Sequence, residues 1–338
     1  MNVVNMMNTV NIKNEKNSES GTRIAVLTLN PAVDRLISLD KPFACGGLNR
    51  AVGVTVSAGG KGLNQCAMLK KLGCDPLYFS VTGESGADEC SAFAERLGIE
   101  SFLVKAPGGV RTNIKITDSD GVCTEINEAG GPVYENTADR LCDMIIESHP
   151  DIVSICGSIP APLSFAVYRD IIVRLKTAGI PAILDCDKAA LELGMSASPY
   201  LIKPNRFELA WLSGAGADDV KTREGAVSLC RNLYERTGVN IICTLDEEGS
   251  LYCGEDGIYA IPTVRTTAKG FAGAGDAYLA AFVSEYVCRG AGIESALCFA
   301  AAASCAKVEL SGTEMPERDI IEKKLIQIRE LGGAAPIV

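Results

Sequence analysis

Short apolar runs alternate with longer amphipathic segments along most of the chain. Apolar runs bounded by turn residues are typical of strands that are buried on both faces. The segments between them have the apolar period of helices. This alternation predicts an α/β fold, with a mostly parallel central sheet and helices on both of its faces. The predicted strands are residues 24–29, 77–81, 152–156, 182–185, 200–202 and 241–245, and the predicted helices are residues 62–72, 87–97, 136–148, 163–178, 224–237 and 275–288.

Two segments, residues 36–57 and 112–128, break this pattern because they have no helical period. In the second, side chains alternate on either side of Asp120-Gly121, which is typical of a β-hairpin. We therefore expect a small antiparallel β-lid beside the central sheet, with lid segments at about residues 35–57 and 110–130. An edge elaboration with no moving role is the alternative.

The N-terminal residues 1–21 are rich in asparagine and other polar residues and have no apolar core of a signal peptide. They are predicted to be a disordered extension, and residues 22–338 are predicted to be one domain. Hydrophobic residues make up 47% of the chain, which supports a sizeable core. No apolar run approaches the roughly 20 residues of a membrane span.

Charge and cysteine content narrow the class of protein. The formal net charge of −10 disfavours nucleic acid and anionic membranes as partners, but it permits binding of small phosphates at local cations. The 14 cysteines include no Cys-x-x-Cys pair, which disfavours a zinc site and favours reduced thiols in a cytoplasmic protein. Because His149 is the only histidine, a His-based triad is excluded.

The most informative motif lies at the start of the last predicted helix. Gly273, Ala274 and Gly275 allow backbone N–H groups to approach an anion, and the helix dipole favours the same position. Asp276 places a carboxylate in that anion site, where it could take a proton from a hydroxyl that attacks phosphorus. A glycine turn that caps the helix is the alternative. A dinucleotide fingerprint is disfavoured because Tyr278 occupies its last position.

Two further motifs lie in the N-terminal part. Asn30 and Asp34 follow the first predicted strand, and ligands of open α/β sheets bind at such carboxyl ends. The glycine-rich loop at residues 59–64 opens a helix, and Lys61 and Asn64 offer donors to hydroxyls or a phosphate. It does not have the Walker A spacing. A helix cap or solvated loop at Asp34, and a plain glycine turn at the loop, are the alternatives.

Asn205 and Glu208 follow the strand at residues 200–202 and are three positions apart, so they share one side of a helical turn. An amide and a carboxylate so placed could hold water-ligated Mg²⁺. A capping box, in which the two side chains bind each other's backbone, is the alternative and is favoured when the motif is taken alone.

Taken in order, the motifs Asn-Pro-x-x-Asp, Gly-Gly-Lys-Gly-x-Asn, Lys-Pro-Asn-x-x-Glu and Gly-Ala-Gly-Asp resemble those of the PfkB/ribokinase superfamily of carbohydrate kinases. The resemblance covers nearly all of residues 22–320 and is nearest to the 1-phosphofructokinase and tagatose-6-phosphate kinase branch. It implies ATP-dependent phosphorylation of a phosphorylated ketohexose, with Mg²⁺ and with a homodimer formed through the β-lid. Fructose 1-phosphate is the first expected substrate and tagatose 6-phosphate the second. The alternatives are a kinase for an unphosphorylated sugar or nucleoside, and a sugar-phosphate-binding protein with impaired use of ATP.

The resemblance also implies roles for individual residues. Asp276 would be the catalytic base, and the N–H groups of Ala274 and Gly275, after Gly273, would form the anion hole. The implied substrate-binding residues are Asp34, Gly59, Gly60, Lys61, Asn64, Arg50 and Arg111, with Lys61, Arg50 and Arg111 as candidates for the phosphate already on the sugar. The implied nucleotide-binding residues are Lys203, Asn205, Glu208 and Gly249, with Asn205 and Glu208 reaching the metal through water.

Three positions depart from the pattern of the superfamily. Phe271 stands where a threonine is usual, and residues 185–188 replace a common Asp-Thr-Ser-Gly segment. Residues 245–249 place three carboxylates near the expected triphosphate. Extra carboxylates repel ATP unless a cation such as Lys188 or Lys269 compensates them.

Overall fold

A computed structural model describes residues 21–84, 88–267 and 269–337. The predicted extension at residues 1–21 lies outside these ranges except for its last residue. The strands are β1 (Ile24–Thr28), β2 (Ala32–Leu39), β3 (Ala51–Gly59), β4 (Leu77–Gly83), β5 (Glu100–Ala106), β6 (Arg111–Thr117), β7 (Cys123–Asn127), β8 (Ile152–Cys156), β9 (Ala182–Asp185), β10 (Leu201–Ile202), β11 (Asn240–Thr244), β12 (Ser250–Gly254), β13 (Gly257–Ile261) and β14 (Ala335–Pro336). The α-helices are α1 (Lys61–Lys71), α2 (Glu89–Arg96), α3 (Thr137–Glu147), α4 (Val167–Thr177), α5 (Lys188–Met195), α6 (Arg206–Ser213), α7 (Arg223–Thr237), α8 (Ala274–Val283), α9 (Ile293–Val308) and α10 (Arg318–Glu330).

The central sheet has the strand order β14-β13-β12-β11-β10-β9-β8-β1-β4-β5. From β11 to β5 all neighbours pair in parallel, while β12, β13 and β14 add an antiparallel edge. Every residue of β1, β8 and β9 is buried, because helices cover both faces of a parallel sheet. The predicted strands are thus confirmed, and so is the α/β fold class.

The two faces of the sheet carry separate apolar cores. Ile24 and Val26 of β1 pack into the core formed with α1, α2, α8, α9 and α10. Ala25 and Leu27 of the same strand pack into the core formed with α3 to α7. The period of two along a strand produces this alternation. Within the described ranges, no helix is long and apolar enough to cross a membrane.

A second, four-stranded sheet has the order β3-β2-β6-β7 and contains both predicted lid segments, so we call it the lid. A moving role for it stays a prediction. The hairpin prediction is confirmed, because β6 and β7 pair antiparallel and Gly121 lies in the turn between them with a φ of 77°. The pair β2–β3 is also antiparallel, but β2 and β6 are parallel. β2 and β6 are parallel for a simple reason. β2 follows β1 and β6 follows β5, and since β1 and β5 run in the same direction, both segments leave the central sheet at the same edge.

Candidate active site

The carboxyl ends of β1, β8, β9 and β10 open into a cleft of about 470 Å³, bordered by the lid and by the starts of α1 and α8. Ligands of open α/β sheets bind at this edge. The structure therefore brings together motifs that are far apart in the chain. The predicted site residues that line the cleft are Asp34, Gly60, Lys61, Asn64, Arg111, Lys203, Gly273, Gly275 and Asp276.

Asp276 lies in the first turn of α8 and is only 6% exposed. Its Oδ2 accepts a hydrogen bond of 2.8 Å from Nδ2 of Asn64, so the two predicted motifs meet directly. Burial, followed by the negative charge of Asp185, raises the pKa of Asp276 to about 6. Gly273 precedes the helix with a φ of 80°, a left-handed backbone conformation that L side chains rarely adopt. The turn therefore requires glycine at this position.

The first turn of α8 has N–H groups without intrahelical acceptors, as any helix start does. Of the predicted anion-hole pair, the N–H of Ala274 donates to the carbonyl of Phe271 at 3.2 Å. Its predicted role requires that this bond opens. Next to Gly275 lies the ammonium of Lys203, whose Nζ would be 3.1 Å from a Cβ at that position. Lys203 thus adds a positive charge to the mouth of the helix.

A buried carboxylate lies close to two of the lysines of the cleft. Oδ1 of Asp185 lies 2.6 Å from Nζ of Lys61 and 3.4 Å from Nζ of Lys203, and Asp185 is 1% exposed. Burial opposes its ionisation, but Lys203 and Lys61 outweigh this and lower the pKa of Asp185. Burial likewise opposes the charge of Lys61, but Asp185 and Asp276 raise its pKa. In the sequence, Asp185 stood out only because residues 185–188 differ from the pattern of the superfamily. That Lys61 has a protein carboxylate as its partner was not predicted.

On the lid side, Asp34 is 2% exposed and holds two donors. Its Oδ1 accepts from Nδ2 of Asn113 at 3.0 Å and its Oδ2 from Nζ of Lys115 at 3.1 Å. The parallel register aligns Asp34 with Asn113, which puts them on one face of the lid. A Cβ at Gly59 would lie 2.4 Å from Cγ of Asp34, so only glycine permits this approach. Gly60 follows as the N-cap of α1.

Asn113 and Lys115 were missed as site residues, although they lie in the predicted lid segment at residues 110–130, next to the predicted site residue Arg111. The signal was the alternation along the hairpin. Side chains two positions apart share a face, so a site residue at Arg111 implies others at the next odd positions.

The two arginines predicted for the sugar phosphate differ in position. Arg111 is partly buried in the cleft wall, and its Nη1 donates to the carbonyl of Glu128 at 2.9 Å. Burial lowers its pKa, while Asp34 and Asp187 oppose that change. Arg50 is exposed at the start of β3 and, within the described part of the chain, is not among the residues that line the cleft. The structure therefore brings Arg111, but not Arg50, to the candidate site.

Asn205 and Glu208 form the capping box of α6. Oδ1 of Asn205 accepts from the N–H groups of Phe207 and Glu208, each at 2.9 Å, and Oε2 of Glu208 accepts from the N–H of Asn205 at 2.8 Å. Burial raises the pKa of Glu208, which the nearby Lys61 and Lys203 oppose. The cap thus engages one oxygen of each side chain, and water-mediated contact with Mg²⁺ stays a prediction.

The acidic turn after β11 is compensated within the protein. Arg206 of α6 lies 3.3 Å (Nε) from a carboxylate oxygen of Asp246 and 3.2 Å (Nη2) from one of Glu248. Glu247 is exposed. Gly249 ends the turn with a φ of 92° and, within the described residues, does not line the cleft. The compensating cation therefore comes from α6 rather than from the two lysines that the sequence suggested.

Lys307 was missed entirely. It is fully buried in α9, where its Nζ donates to the carbonyl of Gly312 at 2.9 Å. Burial, followed by the positive charge of Lys115, lowers its pKa to about 8, while Asp276 and Glu314 oppose this change. A lysine within an apolar helix gives no local sequence signal of such a position.

A carboxylate oxygen beside the cleft is available to a divalent cation. Oδ2 of Asp185 is buried and has no hydrogen-bond partner within the described ranges. In the same ranges, no three His, Cys, Asp or Glu side chains form a preformed metal site. This arrangement fits Mg²⁺, which retains several waters and is usually held by one or two carboxylates together with substrate phosphates.

Comparison with known proteins gives one consistent result. Residues 27–319 match the pfkB family of carbohydrate kinases. The chain is 27% identical over 319 residues to the 1-phosphofructokinase of Haemophilus influenzae, covering 92% of this chain and 99% of the relative. It is 30% identical to that of Borreliella burgdorferi over 310 residues, covering 90% and 97%.

Solved structures agree with the fold. The phosphofructokinase-2 of Escherichia coli in complex with potassium superposes with a TM-score of 0.84 at 20% identity, covering 91% of this chain and 99% of that one. A possible 1-phosphofructokinase from Thermotoga maritima superposes with a TM-score of 0.77 at 24% identity, covering 90% and 97%. On the evidence of sequence and fold together, this chain is a sugar kinase that belongs to the pfkB family of carbohydrate kinases.

Proposed function

We propose that the enzyme transfers the γ-phosphoryl group of ATP to a hydroxyl of fructose 1-phosphate in the cytoplasm. The observation that carries this proposal is the pairing of Asp276 with Asn64 at the start of α8. It lies in the same cleft as the polar cluster formed by Asp34, Asn113 and Lys115. Full-length relatives named 1-phosphofructokinase support this choice of substrate.

The residues divide the chemistry among them. In this proposal, Asp34 and Asn64 bind hydroxyls of the sugar, and Arg111 binds the phosphate that it already carries. The oxygen of the sugar hydroxyl attacks the γ-phosphorus, and the bond from that phosphorus to the β-phosphate oxygen breaks. Asp276 takes the proton that the hydroxyl loses. Lys203 and the first-turn N–H groups of α8 stabilise the charge on the transferred group, and ADP leaves.

Bound Mg²⁺ would supply neutralisation of the phosphate oxygens. Asp185, through its unpaired Oδ2, and Glu208, through water, are the residues that would hold it. The ion pairs of Arg206 with Asp246 and Glu248 support use of ATP, because they offset the carboxylates that would repel a triphosphate.

The test is a substrate panel with ATP and Mg²⁺ that measures ADP release and identifies the sugar product. Fructose 1-phosphate should give a kcat/KM at least tenfold above those of tagatose 6-phosphate, fructose 6-phosphate and fructose. A preference for an unphosphorylated sugar would contradict the proposal. Binding of sugar phosphate without binding of nucleotide, measured by calorimetry, would identify a binding protein with impaired use of ATP instead.

We also propose that two copies associate through the lid. The face of the lid that points away from the cleft is apolar and solvent-exposed, because it carries Val54, Val56 and Ile126, which are 49%, 49% and 53% exposed. The register places Val56, Arg35, Ile114 and Ile126 in one row across the sheet, so the apolar side chains of this row flank one exposed arginine. Exposed apolar patches of this kind mark association surfaces.

A further inference from the structure

Two thiols meet near the protein surface at the far end of α1 and α8. Sγ of Cys74 lies 4.0 Å from Sγ of Cys288, and both residues are partly exposed. The other twelve cysteines are buried, except for Cys45 and Cys123, which are exposed on the lid. A pair that is both close and accessible has the two properties that oxidation to a disulfide requires.

The surroundings make the two sulfurs unequal. Sγ of Cys74 is also 3.4 Å from Oγ of Ser284, and Arg289 lies nearby. The hydrogen bond with Cys288 lowers the pKa of Cys74 most, and Ser284 and Arg289 lower it further, to about 6. Burial and the negative charge of Asp75 oppose this change. The contact with Cys74 and burial raise the pKa of Cys288. The surroundings therefore favour ionisation of Cys74 over ionisation of Cys288.

The pair connects the two helices that carry the candidate active site. Cys74 follows α1, which begins at Lys61 and carries Asn64. Cys288 ends the π-helical turn Ser284–Cys288 that continues α8, the helix of Asp276. The two helices pack side by side. Nη2 of Arg289 donates to the carbonyl of Leu72 at 2.8 Å, which holds the two ends in contact.

We propose that Cys74 and Cys288 form a redox-active dithiol that a peroxide converts into an intramolecular disulfide. The thiolate of Cys74 attacks one peroxide oxygen, the O–O bond breaks, and the other oxygen leaves as hydroxide, which is protonated to water. The sulfur of Cys288 then attacks the sulfenic sulfur of Cys74, loses its proton, and expels the oxygen as a second water. Two thiols lose two electrons, and the peroxide gains them.

Formation of the disulfide brings the two sulfurs from 4.0 Å to about 2 Å. This inference does not depend on the substrate of the kinase.

The experiment uses the full, reduced chain treated with stoichiometric hydrogen peroxide, alkylated with iodoacetamide and digested without reductant. Mass spectrometry should find a disulfide-linked peptide pair that contains Cys74 and Cys288, and dithiothreitol should remove it. The Cys45→Ser/Cys123→Ser variant should form the same link, since its accessible lid thiols are absent.

Single variants separate the two roles. In Cys288→Ser, oxidation should stop at the sulfenic acid of Cys74, which dimedone traps. In Cys74→Ser, Cys288 should stay reduced at the same peroxide dose. Circular dichroism establishes that each variant is folded. The proposal is overturned if folded wild type oxidises at other thiols and shows no Cys74–Cys288 link, or if the link appears only in urea.

Discussion

Asp276 is buried, and burial opposes ionisation of its carboxyl group. Its pKa is about 6, above the ordinary value of 3.8, because solvent is excluded and Asp185 is negative. Asn64 and Lys61 limit the shift by favouring the ionised form. A carboxylate so placed is a stronger base than one in water and is still ionised at neutral pH, which suits proton removal from an alcohol.

Replacement of Asp276 by Asn should lower kcat by a factor of about 10²–10⁴, because the proton acceptor is lost while the fold is retained. Turnover of the proposed substrate, with circular dichroism as the folding check, measures this. Asp75→Asn, at an exposed carboxylate, should leave kcat unchanged. Near-normal turnover in Asp276→Asn would remove Asp276 from its assigned role.

The raised pKa of Asp276 has a stability consequence that needs no substrate. Between pH 4 and 6 the folded state binds more protons than the unfolded state, so the contribution of Asp276 to stability falls as pH rises through this window. The free energy of unfolding of wild type, minus that of Asp276→Asn, should therefore drop by about 2–3 kcal/mol from pH 4 to pH 7. Urea titrations of both proteins at several pH values measure this difference. A flat difference would show that the pKa is not raised.

Among the secondary-structure elements, α6 combines a stabilising helix cap with an arginine that compensates nearby carboxylates. The capping box of Asn205 and Glu208 satisfies N–H groups at the start of the helix. Arg206 of the same turn neutralises the acidic loop that follows β11. One short helix thereby orders the end of β10, which delivers Lys203 to the cleft, and offsets the carboxylates of the acidic loop.

Substitution of the cap should separate stability from metal binding. Asn205→Ala should lower the free energy of unfolding by about 0.5–2 kcal/mol, because the N-cap acceptor is lost, whereas Asn205→Ser should retain most of it. Urea titration measures the stability of each variant. If Asn205 also contacts hydrated Mg²⁺, Asn205→Ser should raise the Mg²⁺ concentration that gives half-maximal activity. An unchanged Mg²⁺ dependence would restrict Asn205 to the cap.

For the whole molecule, the lid has one polar face and one apolar face. The polar face completes the cleft with Asp34, Asn113 and Lys115. On the opposite face, Val54 and Val56 are exposed in a single chain. Association through the apolar face would remove it from water and hold the polar face in position over the sheet.

The Val54→Asp/Val56→Asp variant should be monomeric, because two charges on the apolar face oppose its burial. Light scattering after size-exclusion chromatography should show a dimer for wild type and for the control Val173→Asp, whose valine is exposed on α4. A monomeric wild type at micromolar concentration would contradict association through the lid.

The sequence predicted β1, β4, β8, β9, β10 and β11 because each shows its apolar run locally, but it did not predict the antiparallel strands β12 to β14 or the edge strand β5. It located the cleft because the glycine motifs mark helix starts. It could not reveal which charges pair. Lys61 meets Asp185 across 124 residues, and nothing near either residue in the chain indicates the other. The position of Lys307 in the site was not predicted for a related reason. Its neighbours belong to a turn and to a lid strand, which come close to it only in the folded chain.

The bond between Asn64 and Asp276 joins positions 212 residues apart. Contacts of such separation close large loops and form slowly. A polypeptide that stops before α8 already contains every strand of the lid and most of the central sheet, yet it lacks Asp276, the proposed proton acceptor. Fragments of this chain that end before α8 are therefore expected to be inert.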